Sequence, residues 1–176
     1  MADLLGLPSD DVRARLSRLH AVVHVPDSDD EPSLRTLHAS FGDYLFDRAP
    51  DHIRISDSLG HDTPARACLR VMAERLHFNI SQSVSSYEPN ALVRPDSITL
   101  SLEYACTQWV YHVARLPQPS ILDKMIEDVF CRHFLFWLEV MSILGQVQRA
   151  AAMLMFAAAI VGTTTHCGRM VTHLAI

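Results

Sequence analysis

Basic residues are in deficit in this chain. Lys and Arg total 15 against 20 Asp and Glu, which leaves a formal net charge of −5. Binding a phosphate backbone takes clustered Lys and Arg, so the acidic balance argues against broad nucleic-acid binding. Cysteine is scarce too, and four in 176 residues do not make a disulfide scaffold. The opening residues, Met1-Ala2-Asp3-Leu4-Leu5-Gly6-Leu7-Pro8, hold neither a basic stretch nor a long apolar one. No secretory signal is therefore expected, and the thiols are expected to be free in a cytoplasmic setting. Asn79-Ile80-Ser81 fits a glycosylation sequon, which stays silent without a secretion route.

Signatures of catalysis are missing as well. There is no Gly-x-Ser-x-Gly elbow and no Cys/His pair in a recognisable context. Cys131-x-His133, and His166-Cys167 with His173, lack the paired spacings of zinc sites, so no metal is expected. Cys131 is expected on an apolar helix face. Cys68 and Cys106 fall on apolar stripes and read as small core residues. The chain is not expected to be an enzyme by itself. No internal repeat of fixed period is found.

What is present is apolar residue in quantity: 49% hydrophobic against 20% charged, enough to bury a core. Ser9 reads as an N-cap, with Asp10 and Asp11 in the first turn where the helix dipole favours acids. Val12, Leu16, Leu19 and Val23 follow at spacings of four, three and four, a helical stripe. Val22–Val25 and Leu34–Leu37 are short β-prone runs around an acidic, proline-bounded turn, residues 26–33, and predict a hairpin. Ala39–Phe46 predicts a short helix with Phe41, Tyr44 and Leu45 on one side, weakened by Gly42 inside it. Helix, hairpin and helix in this order suggest the end of a winged-helix domain.

Residues 49–62 read as a connector, with Ile53 and Ile55 alternating as if extended. Thr63 as N-cap and Pro64 at the first helical position predict the next helix, with Ala65, Cys68, Leu69, Met72 and Leu76 on its apolar side. Residues 79–97 predict a long loop. Ser97 predicts the cap of a helix carrying Leu102, Ala105, Cys106, Trp109 and Val113. Ser120 with Asp123 resembles a capping box. It opens a long helix with Ile121, Leu122, Met125, Ile126, Val129, Phe130, Phe134, Trp137, Leu138 and Met141. Of its aromatics, Phe134 and Trp137 share a face and Phe136 points elsewhere. Most of the cluster is expected in the core, and any exposed remainder would be an interaction patch.

The run Ala150–Gly162 is uninterruptedly apolar. A membrane span needs about 20 such residues, so a buried helix is expected. Extended to Thr165 through three threonines, the same run is the alternative of a membrane tether. The expected fold is mainly α: a partial winged-helix module with a short β-hairpin wing over 1–48, a connector over 49–62, a helical bundle over 63–145 and a divergent apolar tail over 146–176.

Several stretches resemble one family in order and spacing. They are Leu34-Arg35-Thr36-Leu37-His38-Ala39-Ser40-Phe41-Gly42-Asp43-Tyr44-Leu45, Gly60-His61-Asp62, Ala67-Cys68-Leu69-Arg70-Val71-Met72, Leu76-His77-Phe78-Asn79-Ile80, Tyr104-Ala105-Cys106-Thr107-Gln108-Trp109 and Phe134-Leu135-Phe136-Trp137-Leu138-Glu139-Val140. Together they resemble the region just after the nucleotide-binding core in NACHT-domain proteins of mushroom-forming fungi, members of the STAND class of signal-transducing NTPases. The resemblance runs from about Leu4 to Leu144.

It implies a receptor switched by ATP or GTP, in which a winged-helix domain closes over a P-loop core and a helical segment leads to a sensor. It also implies a phosphate-sensing role for His38, at the start of the family's His-x-x-Phe motif, with Phe41 completing it. An imidazole N–H is a good donor to a phosphate oxygen. The chain holds no Gly-x-x-x-x-Gly-Lys-Ser/Thr and no Walker-type acidic strand. A nucleotide is therefore expected only through a longer chain or a partner carrying the NACHT core, including full-length relatives. DNA is not expected, because the wing Asp27-Ser28-Asp29-Asp30-Glu31 and the acids Asp43 and Asp47 would repel phosphate.

Overall fold

The computed structural model describes residues 2–25, 34–84 and 96–160. The chain is mainly helical with one two-stranded antiparallel hairpin. It divides into two compact units, Met1–Gly60 and His61–Ile176.

In the first unit, α1 (Ala2–Leu5) and α2 (Ser9–Leu16) precede a 3-10 turn, Ser17–Leu19. Ser9 is not the cap: Pro8 holds that position, and its ring offers no side-chain acceptor. The expected stripe also stops short. Leu19 is exposed, and Val23 belongs to a strand rather than to the helix. That strand, β1 (Val23–His24), pairs with β2 (Arg35–Thr36) in the register Val23 to Thr36 and His24 to Arg35. Leu37 N–H extends the pairing by donating to the Val22 carbonyl at 2.9 Å. The hairpin falls where expected, while the acidic turn 26–33 lies outside the described residues.

The helix after the hairpin is two kinds of helix in series. Ser40–Asp43 is α-helical (α3), and Tyr44–Arg48 is a π turn. Pro50 accounts for the end: it pushes Ala49 out of helical geometry, to φ −66° and ψ 147°. Ala49 N–H reaches back to the Tyr44 carbonyl at 2.7 Å, and the Leu45 carbonyl accepts from Ile55 N–H at 3.0 Å. Ile53 N–H donates to the Pro50 carbonyl, so Ile53 sits in a turn and not in the extended segment expected of it.

The second unit is built on four helices. α4 spans Asp57–Arg75, six residues ahead of the predicted Thr63 start. Pro64 therefore lies inside the helix, where its missing N–H removes the bond that would reach the Gly60 carbonyl. The apolar stripe itself is as expected: Ala65, Cys68, Leu69, Met72 and Leu76 are all buried. α5 spans Leu100–Val113, and its cap is Thr99, whose side chain accepts from Leu102 N–H. The predicted cap, Ser97, instead donates its hydroxyl to the Ile80 carbonyl at 2.8 Å. Leu102, Ala105, Cys106, Trp109 and Val113 are buried as their spacing predicts.

A 3-10 turn over Pro119–Leu122 leads into α6 (Asp123–Ile143), with no capping bond from Ser120 or Asp123. α6 ends in a Schellman turn. Gly145 takes φ +66°, its N–H meets the Ser142 carbonyl at 3.0 Å, and Gln146 N–H meets the Met141 carbonyl at 2.8 Å. α7 spans Val147–Ile160 and buries Ala150, Met153, Leu154 and Ala157. Among the described residues, no helix is long and apolar enough to cross a membrane.

Aromatic side chains fill the core of this unit. The Phe130 ring centroid lies 4.9 Å from Trp109 and 5.4 Å from Trp137. Phe134 lies 6.3 Å from Trp137, on the shared face expected, and Phe136 turns toward His133. Two side chains fasten neighbouring helices to the α5 main chain. Trp137 Nε1 donates to the Cys106 carbonyl at 3.0 Å, and Arg149 Nη2 donates to the Thr107 carbonyl at 3.1 Å.

Candidate functional site

His38 stands at the hairpin-to-helix junction of the first unit and is exposed. Its carbonyl accepts from Phe41 N–H at 3.1 Å. Its ring nitrogen Nδ1 accepts from Ser40 N–H at 3.2 Å, and Ser40 Oγ lies 2.7 Å from the same nitrogen. A backbone N–H can only donate, so Nδ1 is an acceptor and the neutral ring carries its proton on Nε2. One ring nitrogen thus accepts from the first residue of α3, and the other presents an N–H donor. Leu37, Tyr44 and Phe46 are exposed in the same unit.

The cysteine and metal candidates separate by burial. Cys131 is exposed, not on an apolar face as expected, because the buried side of α6 runs through Ile126, Val129, Phe130 and Trp137 instead. His133 Nδ1 is buried without a partner beside Phe136. Among the described residues, no group of three or more His, Cys, Asp or Glu side chains could hold a metal ion. His166, Cys167 and His173 lie outside the described residues. Cys68 and Cys106 are buried, and burial pushes the Cys68 thiol up to about 12 and raises Cys106 as well. Neither is a thiolate near neutral pH, so neither is a nucleophile.

The structure also assembles a cluster the motifs did not single out as a site. His61, in the second turn of α4, places Nδ1 2.9 Å from His112 Nδ1 in the last turn of α5. His112 Nε2 lies 2.8 Å from the Tyr104 hydroxyl, two turns back along α5. Tyr111 sets its ring edge-on to both imidazoles, at centroid distances of 5.6 and 5.3 Å. The Arg115 guanidinium covers the Tyr111 ring at 3.6 Å.

His112 is buried, with 6% of its surface exposed. That burial, then the neighbouring His61 and Arg115, disfavour a cation and bring its pKa down to about 4. Tyr104 is shifted upward by burial, with Cys68 and Tyr111 adding to the effect. One sequence signal did point here. His112 follows Trp109 by three residues and Ala105 by seven, which puts a titratable ring on the buried stripe of α5.

The same two helices meet again at their other ends. Arg75, closing α4, donates from Nη1 to Ser101 Oγ at 3.0 Å and to Thr99 Oγ1 at 3.3 Å, where α5 begins. α4 and α5 are therefore an antiparallel pair fastened by an arginine at one end and two histidines at the other.

No protein-family model, curated protein or solved structure matches the chain.

Proposed function

We propose that this chain is a regulatory region of a NACHT-type signal-transducing NTPase, coupling the nucleotide state of a separate P-loop core to a sensor region. The reading assigns the first unit to a partial winged-helix module and the second to the helical segment that follows it. The chain supplies no hydrolytic residue in this scheme. The observation that carries it is the state of His38: exposed, with Nδ1 occupied by Ser40, and with its proton on the nitrogen left to face a ligand. A β-phosphate oxygen is the acceptor such a donor suits. Apolar side chains exposed in the same unit, Leu37 and Phe46 among them, are the surface that would dock on the core.

The test is a binding titration of this chain against a recombinant NACHT core of the resembled family, loaded in turn with ADP and with a non-hydrolysable triphosphate. Micromolar binding in one nucleotide state is expected, weakened about tenfold by His38→Ala, the loss of one charge-assisted hydrogen bond. Binding that ignores either the nucleotide or the substitution rejects the assignment.

The outer side of α7 favours a second reading, a stand-alone helical interaction module that docks on full-length relatives. Met155 is 61% exposed, Phe156 is also exposed, and no charged residue occurs from Ala150 to Ile160. Co-purification with a full-length relative that survives His38→Ala but is lost in Phe156→Asp selects this reading over the first.

A further inference from the structure

The His61–His112–Tyr104 chain of the second unit is independent of His38; His112 is buried in it, and His61 and Tyr104 are half-buried. Its hydrogen bonds can be followed proton by proton. Two neutral imidazoles facing each other through Nδ1 at 2.9 Å share one proton between those atoms, because one must donate and the other accept. The remaining neutral-state proton sits on a Nε2 atom. Where it is on His112, that ring donates to the Tyr104 oxygen; otherwise the Tyr104 hydroxyl donates to His112. A first added proton gives three N–H groups on four ring nitrogens, and one Nδ1 still accepts. A second leaves both Nδ1 atoms as donors, pointing at each other across a hydrogen-bond distance. The bond is then replaced by two like charges in contact.

We propose that this chain of side chains is an acid-sensitive latch at one end of the α4–α5 pair, opened by the second proton while the Arg75 clasp at the other end holds.

The surroundings agree with that direction. The titratable and charged groups that bear on His112 are His61 from α4, Tyr104 and Tyr111 from α5, and Arg115 from the turn that follows, with Cys68 of α4 acting on Tyr104. Burial, His61 and Arg115 each work against a cation at His112. The bonds from Arg75 to Thr99 and Ser101 do not titrate in this range, since a guanidinium stays charged at all working pH and both of these acceptors are hydroxyls. The two ends of one helix pair therefore respond differently to acid.

Amide hydrogen exchange on the whole chain, corrected for intrinsic rates, tests the latch. Between about pH 7 and about pH 4, protection over residues 110–113 is expected to fall about tenfold or more relative to residues 126–141, with residues 101–104 following α6. In His61→Gln, which keeps a donor and an acceptor but does not titrate, that relative loss is expected to shrink below about threefold. An equal relative loss in the variant, or a loss spread uniformly over α5 and α6, overturns the proposal. Should His61→Gln fail to fold, imidazole nitrogen shifts of the unaltered chain decide. Two coupled protonation steps at His61 and His112 support the latch, and two independent ordinary ones refute it.

Discussion

The two units build secondary structure on very different foundations. Among the described residues of the first, Leu4, Val23 and Ala49 are the buried hydrophobic side chains, while Leu7, Leu37, Tyr44, Phe46 and Ile53 are exposed. The second buries both tryptophans, Phe130 and a set of Leu, Ile, Met and Val side chains between its helices. Helices and a hairpin form in the first unit from local signals: acids in a first turn, a paired hairpin, a proline that ends a helix. In the second they are selected by what they cover. A region of the first kind keeps apolar surface available for something else, which is the property the proposed docking role needs.

The sharpest way to break that contrast is to truncate one large side chain in each unit. Trp137→Ala is expected to cost about 3–5 kcal/mol, since it opens a cavity beside Phe130 and removes the bond to the Cys106 carbonyl. Phe46→Ala is expected to cost under about 1 kcal/mol, because about half of the residue is already in water. Urea denaturation followed by circular dichroism measures both, and equal losses would erase the distinction.

Acid comes next in size. His112 has a folded pKa of about 4, below the ordinary histidine value near 6.5. The unfolded chain therefore binds the proton first as pH falls. Stability is fully present above about 6.5 and is lost on the way down to about 4, by on the order of 2 kcal/mol. His112→Gln is expected to flatten the dependence in that window, and urea midpoints at intervals between the two limits would show it.

The smallest pair of effects has opposite signs. Gly145→Ala is expected to destabilise by about 1 kcal/mol: its φ of +66° strains any Cβ although the space around it is open. Gly42→Ala, inside α3 with nothing within 4 Å of an added Cβ, is expected to stabilise its short helix by about 0.5–1 kcal/mol. Calorimetry reads the first, and amide exchange over residues 40–48 the second.

The stripes of α4, α5 and α6 were legible because each helix buries one side, and burial imposes the 3.6-residue period on the sequence. The ends were not legible, because several residues could perform the same local task. Ser97 and Thr99 are both capping types; Thr99 becomes the cap while Ser97 turns to the Ile80 carbonyl. Pro64 looked like a first-turn proline, yet the helix begins at Asp57 and runs through it. The π turn at Tyr44 goes with Ile55 taking the Leu45 carbonyl, a contact ten residues away that no local pattern announces. His38 could be named from its motif, but its tautomer required the position of Ser40. The His61–His112 contact joins residues 51 apart, so only the pairing of two helices could disclose it.

Trp137 and Arg149 take hold of α5 through carbonyl oxygens and not through side chains. A carbonyl is present whichever amino acid occupies the position. Residues 106 and 107 are thus free to drift among small side chains over evolutionary time without dissolving either attachment. Positions 137 and 149 have no such latitude, because the donor belongs to the side chain itself. In a diverging lineage, the helices that grip would change slowly at those two points, while positions 106 and 107 of the gripped helix could change beneath them.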